Sequence, residues 1–137
     1  MRYVPLVLVC LVVSACGGHD SPTAPSAPQP YSETLTGTVS AFGSVHHPLT
    51  IPRSGNMTVR LQWTDPAVDL DLFLSGVGCT SLYPKSACGL LAGSDAPAGT
   101  TTESIARTVT NAETYQIWVD NLHLTRPQNY TLTLTIQ

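Results

Sequence analysis

The chain has 137 residues, of which 42% are hydrophobic and only 11% charged, with a formal net charge of −3 at pH 7. That length holds one domain around one core and is too short for two ordinary ones. Six Lys and Arg against nine Asp and Glu leave no basic patch for nucleic acid, and the β-branched residues that dominate the C-terminal two-thirds favour pleated, half-buried surfaces over helices.

Residues 1–15 read as an export signal: Arg2, an apolar stretch from Val4 to Val13 broken only by Pro5, then the small residues Ser14 and Ala15. About ten apolar residues rise only about 15 Å as a helix, roughly half of a 30 Å hydrocarbon core, so a permanent span is not expected. Val13-Ser14-Ala15-Cys16 resembles the lipobox of bacterial lipoprotein precursors. The resemblance implies that the signal is removed and that Cys16 becomes an acylated N-terminus, with palmitate an expected chain, held in a lipid bilayer. An ordinary signal peptide cleaved nearby, leaving Cys16 a plain thiol, is the alternative. In a Gram-negative cell, Gly17 after the cysteine resembles outer-membrane sorting. Residues 16–30 carry Pro22, Pro25, Pro28 and Pro30 and no large apolar side chain, so they read as an extended tether. Polyproline II at about 3.1 Å per residue would hold a domain about 40 Å from a bilayer.

Cys10 leaves with the signal and Cys16 is assigned to lipid, so Cys79 and Cys88 remain. In an oxidising compartment two cysteines flanking a short loop are expected to form a disulfide. Without a His pair or a second cysteine pair nearby they lack the spacing of a structural zinc site.

From Tyr31 the pattern changes to short alternating runs separated by Gly, Pro, Asn and Asp, which predicts an all-β, antiparallel, jelly-roll-like β-sandwich of about eight strands over residues 31–137. Thr34 to Ser40 and Pro48 to Ile51 are the first two, with His46 and His47 in a solvated loop before Pro48. In Met57 to Trp63, the side chains of Met57, Val59, Leu61 and Trp63 share the buried face. In Asp69 to Leu74, Leu70, Leu72 and Leu74 point inward, leaving Asp69, Asp71 and Phe73 outward. Gly89 to Ala92 and Glu103 to Val109 follow. Tyr115 to Asp120 then buries Tyr115, Ile117 and Val119 and turns Gln116, Trp118 and Asp120 outward, and Tyr130 to Ile136 is the most regular alternation in the chain. No segment shows sustained helical periodicity.

Several runs together resemble the bacterial pre-peptidase C-terminal domain, a β-sandwich appended to secreted proteases and other exported proteins. The carriers are Gly37-Thr38-Val39, Leu49-Thr50-Ile51-Pro52 before Ser54-Gly55, and Val59-Arg60-Leu61-Gln62-Trp63. Asp69-Leu70-Asp71-Leu72-Phe73-Leu74 matches a strand of D-L-D-L-Y-L type, and Tyr115-Gln116-Ile117-Trp118-Val119 and Asn129-Tyr130-Thr131-Leu132-Thr133-Leu134 match the late strands. Glu113-Thr114 departs from the glycine-containing turn usual before Tyr115. The resemblance implies an accessory, non-catalytic role.

Asp69 and Asp71 share an outward face, where two carboxylates could hold calcium or act as an acid/base couple. Some relatives of the resembled family bind calcium through ligands that include an acidic N-terminal segment, whereas that region here offers only Glu33. The other reading makes Asp69 the end of the turn after Asp65-Pro66 and pairs Asp71 with polar groups across the sheet. No G-x-S-x-G elbow or H-E-x-x-H helix is present, so no catalytic residue is assigned. Phe73 and Trp118, with Asp71, Gln116 and Asp120 on the same phase, form a candidate binding face; a long loop, such as the disulfide loop carrying Tyr83, is the alternative that would cover it. The chain is therefore expected to be a lipid-anchored envelope protein whose sandwich binds a polymer, peptide or protein. A structural assembly role and a calcium-dependent module are the alternatives.

Overall fold

The computed structural model describes residues 29–137; the expected signal, Cys10, Cys16 and almost all of the expected tether lie outside the described residues. Eight strands follow one another: β1 (Tyr31–Val39), β2 (Ser44–Thr50), β3 (Gly55–Trp63), β4 (Leu70–Gly76), β5 (Leu90–Ser94), β6 (Thr102–Val109), β7 (Thr114–Asn121) and β8 (Gln128–Ile136). They form two antiparallel four-stranded sheets, in the orders β1-β8-β3-β6 and β2-β7-β4-β5. This is the jelly-roll form of the β-sandwich expected from the alternation. Among these strands every connection switches sheet except β4 to β5, which are neighbours in one sheet.

The alternating runs bury the side chains their phase assigns. Met57, Val59, Leu61 and Trp63 of β3 meet Leu70, Leu72 and Leu74 of β4, Tyr115, Ile117 and Val119 of β7 and Leu132, Leu134 and Ile136 of β8 in one core. Each such side chain contributes about 1.5 to 3 kcal/mol when fully withdrawn from water. The opposite phase of the first sheet stays wet, carrying Thr34, Thr36 and Thr38 on β1 against Thr133, Thr131 and Asn129 on β8. The β1/β8 register pairs Tyr31 with Ile136 at one end and Val39 with Gln128 at the other. Gly37 is required on the inward phase, because a methyl group there would overlap the Tyr130 hydroxyl.

One strand departs from expectation. β2 begins at Ser44, so His46 and His47 lie within it rather than in a loop before Pro48. A proline inside a strand is tolerated at a sheet edge, where its missing N–H faces away from the ladder, and β2 is an edge strand whose Pro48 pairs with Gln116. The two imidazoles consequently face opposite ways. His46 packs against Trp118 on the outer face, ring centroids 4.7 Å apart and planes tilted by 41°, whereas His47 Nε2 meets the Tyr130 hydroxyl at 2.6 Å on the inner one.

Candidate functional site

β4 is buried over Leu70–Ser75 on both of its faces. Its leucines enter the core, and its outward side chains are covered by the segment that links it to β5. Cys79 and Cys88 of that segment are joined by a disulfide with Cα atoms 4.8 Å apart, as the cysteine spacing predicts. Leu82 and the two half-cystines pack with Phe73, Trp118 and the partly buried Leu90 into a second, smaller core. Phe73 and Trp118 are cross-strand partners, and Phe73 lies over Gly93, where a Cβ would come within 2.8 Å of its ring. The Trp118 indole N–H donates to Ser75 Oγ at 2.9 Å.

These positions correct the expectation of an open aromatic face. Phe73 and Trp118 do sit on the outward phase, but they are 6% and 3% exposed, because the disulfide-closed flap uses them as its own floor. No stacking surface for a sugar is left there. Gln116 stays half-exposed at the flap's rim, with its amide 3.4 Å from the Val77 carbonyl.

The polar members of the face come together farther along the same strands. Asp71 and Asp120 are directly opposite in the β4/β7 register, and Lys85, from the 3-10 turn Lys85–Ala87 of the flap, reaches both carboxylates, 3.6 Å from Asp71 and 3.8 Å from Asp120. The Lys85 ammonium also stands 4.1 Å from the centre of the Phe73 ring, and the Tyr83 hydroxyl donates to Asp120. Neither oxygen of Asp71 has a hydrogen-bond partner. Burial, reinforced by Asp95, Glu103 and Asp69 and opposed by Lys85, pushes the Asp71 carboxyl up to about 7. Burial also raises Asp120, against the hydrogen bond from Tyr83 and the charge of Lys85, and it raises the Tyr83 phenol together with Asp120.

Such a set has the groups of an acid/base couple without the access. Asp71 is fully buried and Asp120 is 2% exposed. The cation between the two carboxylates is Lys85, so the flap supplies the charge compensation that buried acids need. Asp69 lies just before β4 in the β3–β4 connection, and among the described residues no group of three or more His, Cys, Asp or Glu side chains could hold a metal ion.

A second feature was not anticipated from the sequence. Four connections meet at one end of the sandwich: β1–β2, β3–β4, β5–β6 and β7–β8. There Phe42 (71% exposed), Leu122 (37%) and Leu124 (73%) are presented beside Tyr83 of the flap (52%). Phe42, Tyr83, Asn121 and Leu122 line a depression of about 250 Å³ that also includes Asp120. Leu122 is shared with an adjoining one of about 460 Å³, walled by Ala67, Asp69, His123, Leu124 and Thr125. The turns are tied together: the Phe42 N–H donates to the His123 carbonyl at 2.8 Å, and the Asn121 amide bridges the carbonyls of Ser40 and Arg126. Phe42 itself has a φ of 47°, a left-handed conformation that costs a non-glycine residue roughly 1 kcal/mol. The signal for this cluster was large apolar residues inside turns, Ala41-Phe42-Gly43 and Leu122-His123-Leu124. Only the fold brings them together. A wider depression of about 750 Å³, lined mainly by Thr36, Thr38, Gln62, Thr64, Asn129 and Thr131, lies on the outer face of the first sheet; none of the exposed large apolar side chains reaches it.

No protein-family model matches the sequence, and no curated protein matches it. Solved structures do match the fold. The periplasmic inhibitor of g-type lysozyme PliG from Aeromonas hydrophila aligns over 77% of this chain and 86% of its own, with a TM-score of 0.56 and 15% identity. The mitogen from Yersinia pseudotuberculosis aligns over 80% and 88%, at 0.55 and 22%. The pre-peptidase C-terminal domain of a Bacillus anthracis collagenase aligns over 75% and 88%, at 0.55 and 10%. The sandwich is thus similar in fold to the domain that the strand motifs resemble.

Proposed function

We propose that this chain is a non-catalytic envelope protein that recognises a protein partner through the loop end of its sandwich. The observation that carries the reading is the gathering of Phe42, Tyr83, Leu122 and Leu124 around two adjoining depressions. Exposed aromatic and aliphatic anchors beside a pocket are the features that concentrate binding energy in protein interfaces. Phe42 adds a second argument, since a strained backbone that displays an aromatic ring to solvent trades stability for presentation. One of the fold's neighbours is a lysozyme inhibitor, which supports a protein as the kind of partner. The buried state of Phe73 and Trp118 counts against a polymer held on that face.

The reading includes a lipid anchor: cleavage after residue 15, acylation of Cys16, residues 16–30 as a tether, and outer-membrane placement in a Gram-negative cell. Metabolic labelling with an alkyne palmitate analogue tests it. Label is expected in the wild type and absent from Cys16→Ser, which should move to the soluble fraction; an unlabelled wild type would remove the anchor.

For the loop end the decisive variant is Phe42→Gly. Glycine relaxes the left-handed backbone at a small entropic cost, so the thermal midpoint should hold or rise. Retention of the partner, recovered by crosslinking from native envelopes, should fall at least tenfold. Equal retention by wild type and variant would count against this surface.

A further inference from the structure

The proposed docking end is charged in a way that specifies its partner, an inference that rests on the reading above. Of the eight carboxylates among the described residues, six lie in the connections at the loop end or within two residues of them: Asp65, Asp69, Asp71, Asp95, Glu103 and Asp120. Only Lys85 and Arg126 of the five Lys and Arg are placed against them. Lys85 is engaged with Asp71 and Asp120, and Arg126 with Asp65 at 3.0 Å. Glu103 is satisfied internally, accepting from the Leu72 and Ala96 backbone N–H groups.

Asp69 is left over. It makes no ion pair among the described residues, and its Oδ1 finds no hydrogen-bond partner. Yet it lies in the wall of the 460 Å³ depression, beside Ala67, Leu122 and Leu124. The nearby His123 is turned to its own loop, where its Nδ1 accepts from the backbone N–H groups of Thr125 and Arg126.

We propose that this depression receives a lysine or arginine side chain from a protein with a basic surface. The aliphatic stem of such a residue matches the leucine walls while its head group meets the uncompensated carboxylate. The surrounding acids would attract a basic surface from a distance, an effect that salt weakens. A purely apolar segment would leave Asp69 desolvated and unpaired, which disfavours it.

The test uses the mature chain and an array of capped dodecapeptides, each with one arginine between leucine or phenylalanine residues, beside twins in which citrulline replaces the arginine. Citrulline keeps the shape and loses the charge. Arginine peptides should be retained about fivefold over their twins at low salt, the equivalent of about 1 kcal/mol. That ratio should collapse in Asp69→Asn and survive in Asp95→Asn, with both variants keeping the wild-type thermal midpoint. Equal retention of the two peptide sets, including no retention of either, overturns the proposal, as does a preference that persists in Asp69→Asn. The docking reading is scored separately, on the native partner with Phe42→Gly, and so survives a failure of the charge assignment.

Discussion

The double variant Cys79→Ala/Cys88→Ala is expected to lose about 2.5 kcal/mol of stability, the loop-closure contribution of a cross-link of this span. The loss should appear first in the flap. The segment between β4 and β5 has little to hold it besides Leu82, the two half-cystines and the contacts of Lys85 and Tyr83, so opening the covalent loop frees it before the sheets separate. Trp118, 3% exposed beneath it, would then meet water. Its emission should shift to the red while Trp63, which belongs to the main core, stays dry. Fluorescence during chemical denaturation reads both effects. An unshifted emission maximum in the folded double variant would mean that side-chain contacts alone hold the flap.

Stability should also change with pH in an unusual direction for a protein in which carboxylates outnumber basic groups. A carboxyl whose folded pKa exceeds its unfolded value of about 3.9 binds its proton more tightly in the folded state. Its favourable contribution is therefore greatest at low pH and is lost as pH rises through the folded value. For Asp71, at about 7, the fold should gain roughly 1.4 kcal/mol between pH 8 and pH 6. Asp120 and Glu103, also raised by burial, act with the same sign. His47, lowered by burial and by His46, opposes them below about pH 6.5. Asp71→Asn copies the protonated acid: it should flatten the dependence between pH 6 and 8 and exceed the wild type at pH 8 by on the order of 2 kcal/mol. Urea midpoints across that range decide it, and a variant that keeps the wild-type slope would show that another group titrates.

Alternation alone was enough to read the strands and their inner faces, because a half-buried sheet forces period two on runs such as Tyr130-Thr131-Leu132-Thr133-Leu134. Pro48 and the two histidines hid the start of β2, since they lack β propensity and are accepted only through its edge position. The outward phase of Asp71, Phe73, Trp118 and Asp120 was equally legible. Phase, however, states which side a residue faces and not what lies over that side. The cover is a stretch without regular alternation, so it carries no period to read. The meeting of Asp71 with Asp120 depends on the pairing of β4 with β7, and the loop-end cluster on four connections far apart in sequence. Neither follows from local composition. The proposed anchor is the reverse case: it rests on residues 13–16 alone, which lie outside the described residues.

The pairing of Tyr31 with Ile136 has a practical consequence for orientation. The start of β1 and the end of β8 lie at one pole of the sandwich, and Phe42, Leu122 and Leu124 occupy the other, roughly 30 Å away along nine-residue strands. Anything joined directly before β1 or after β8 therefore sits at the base of the sandwich, opposite the apolar rim.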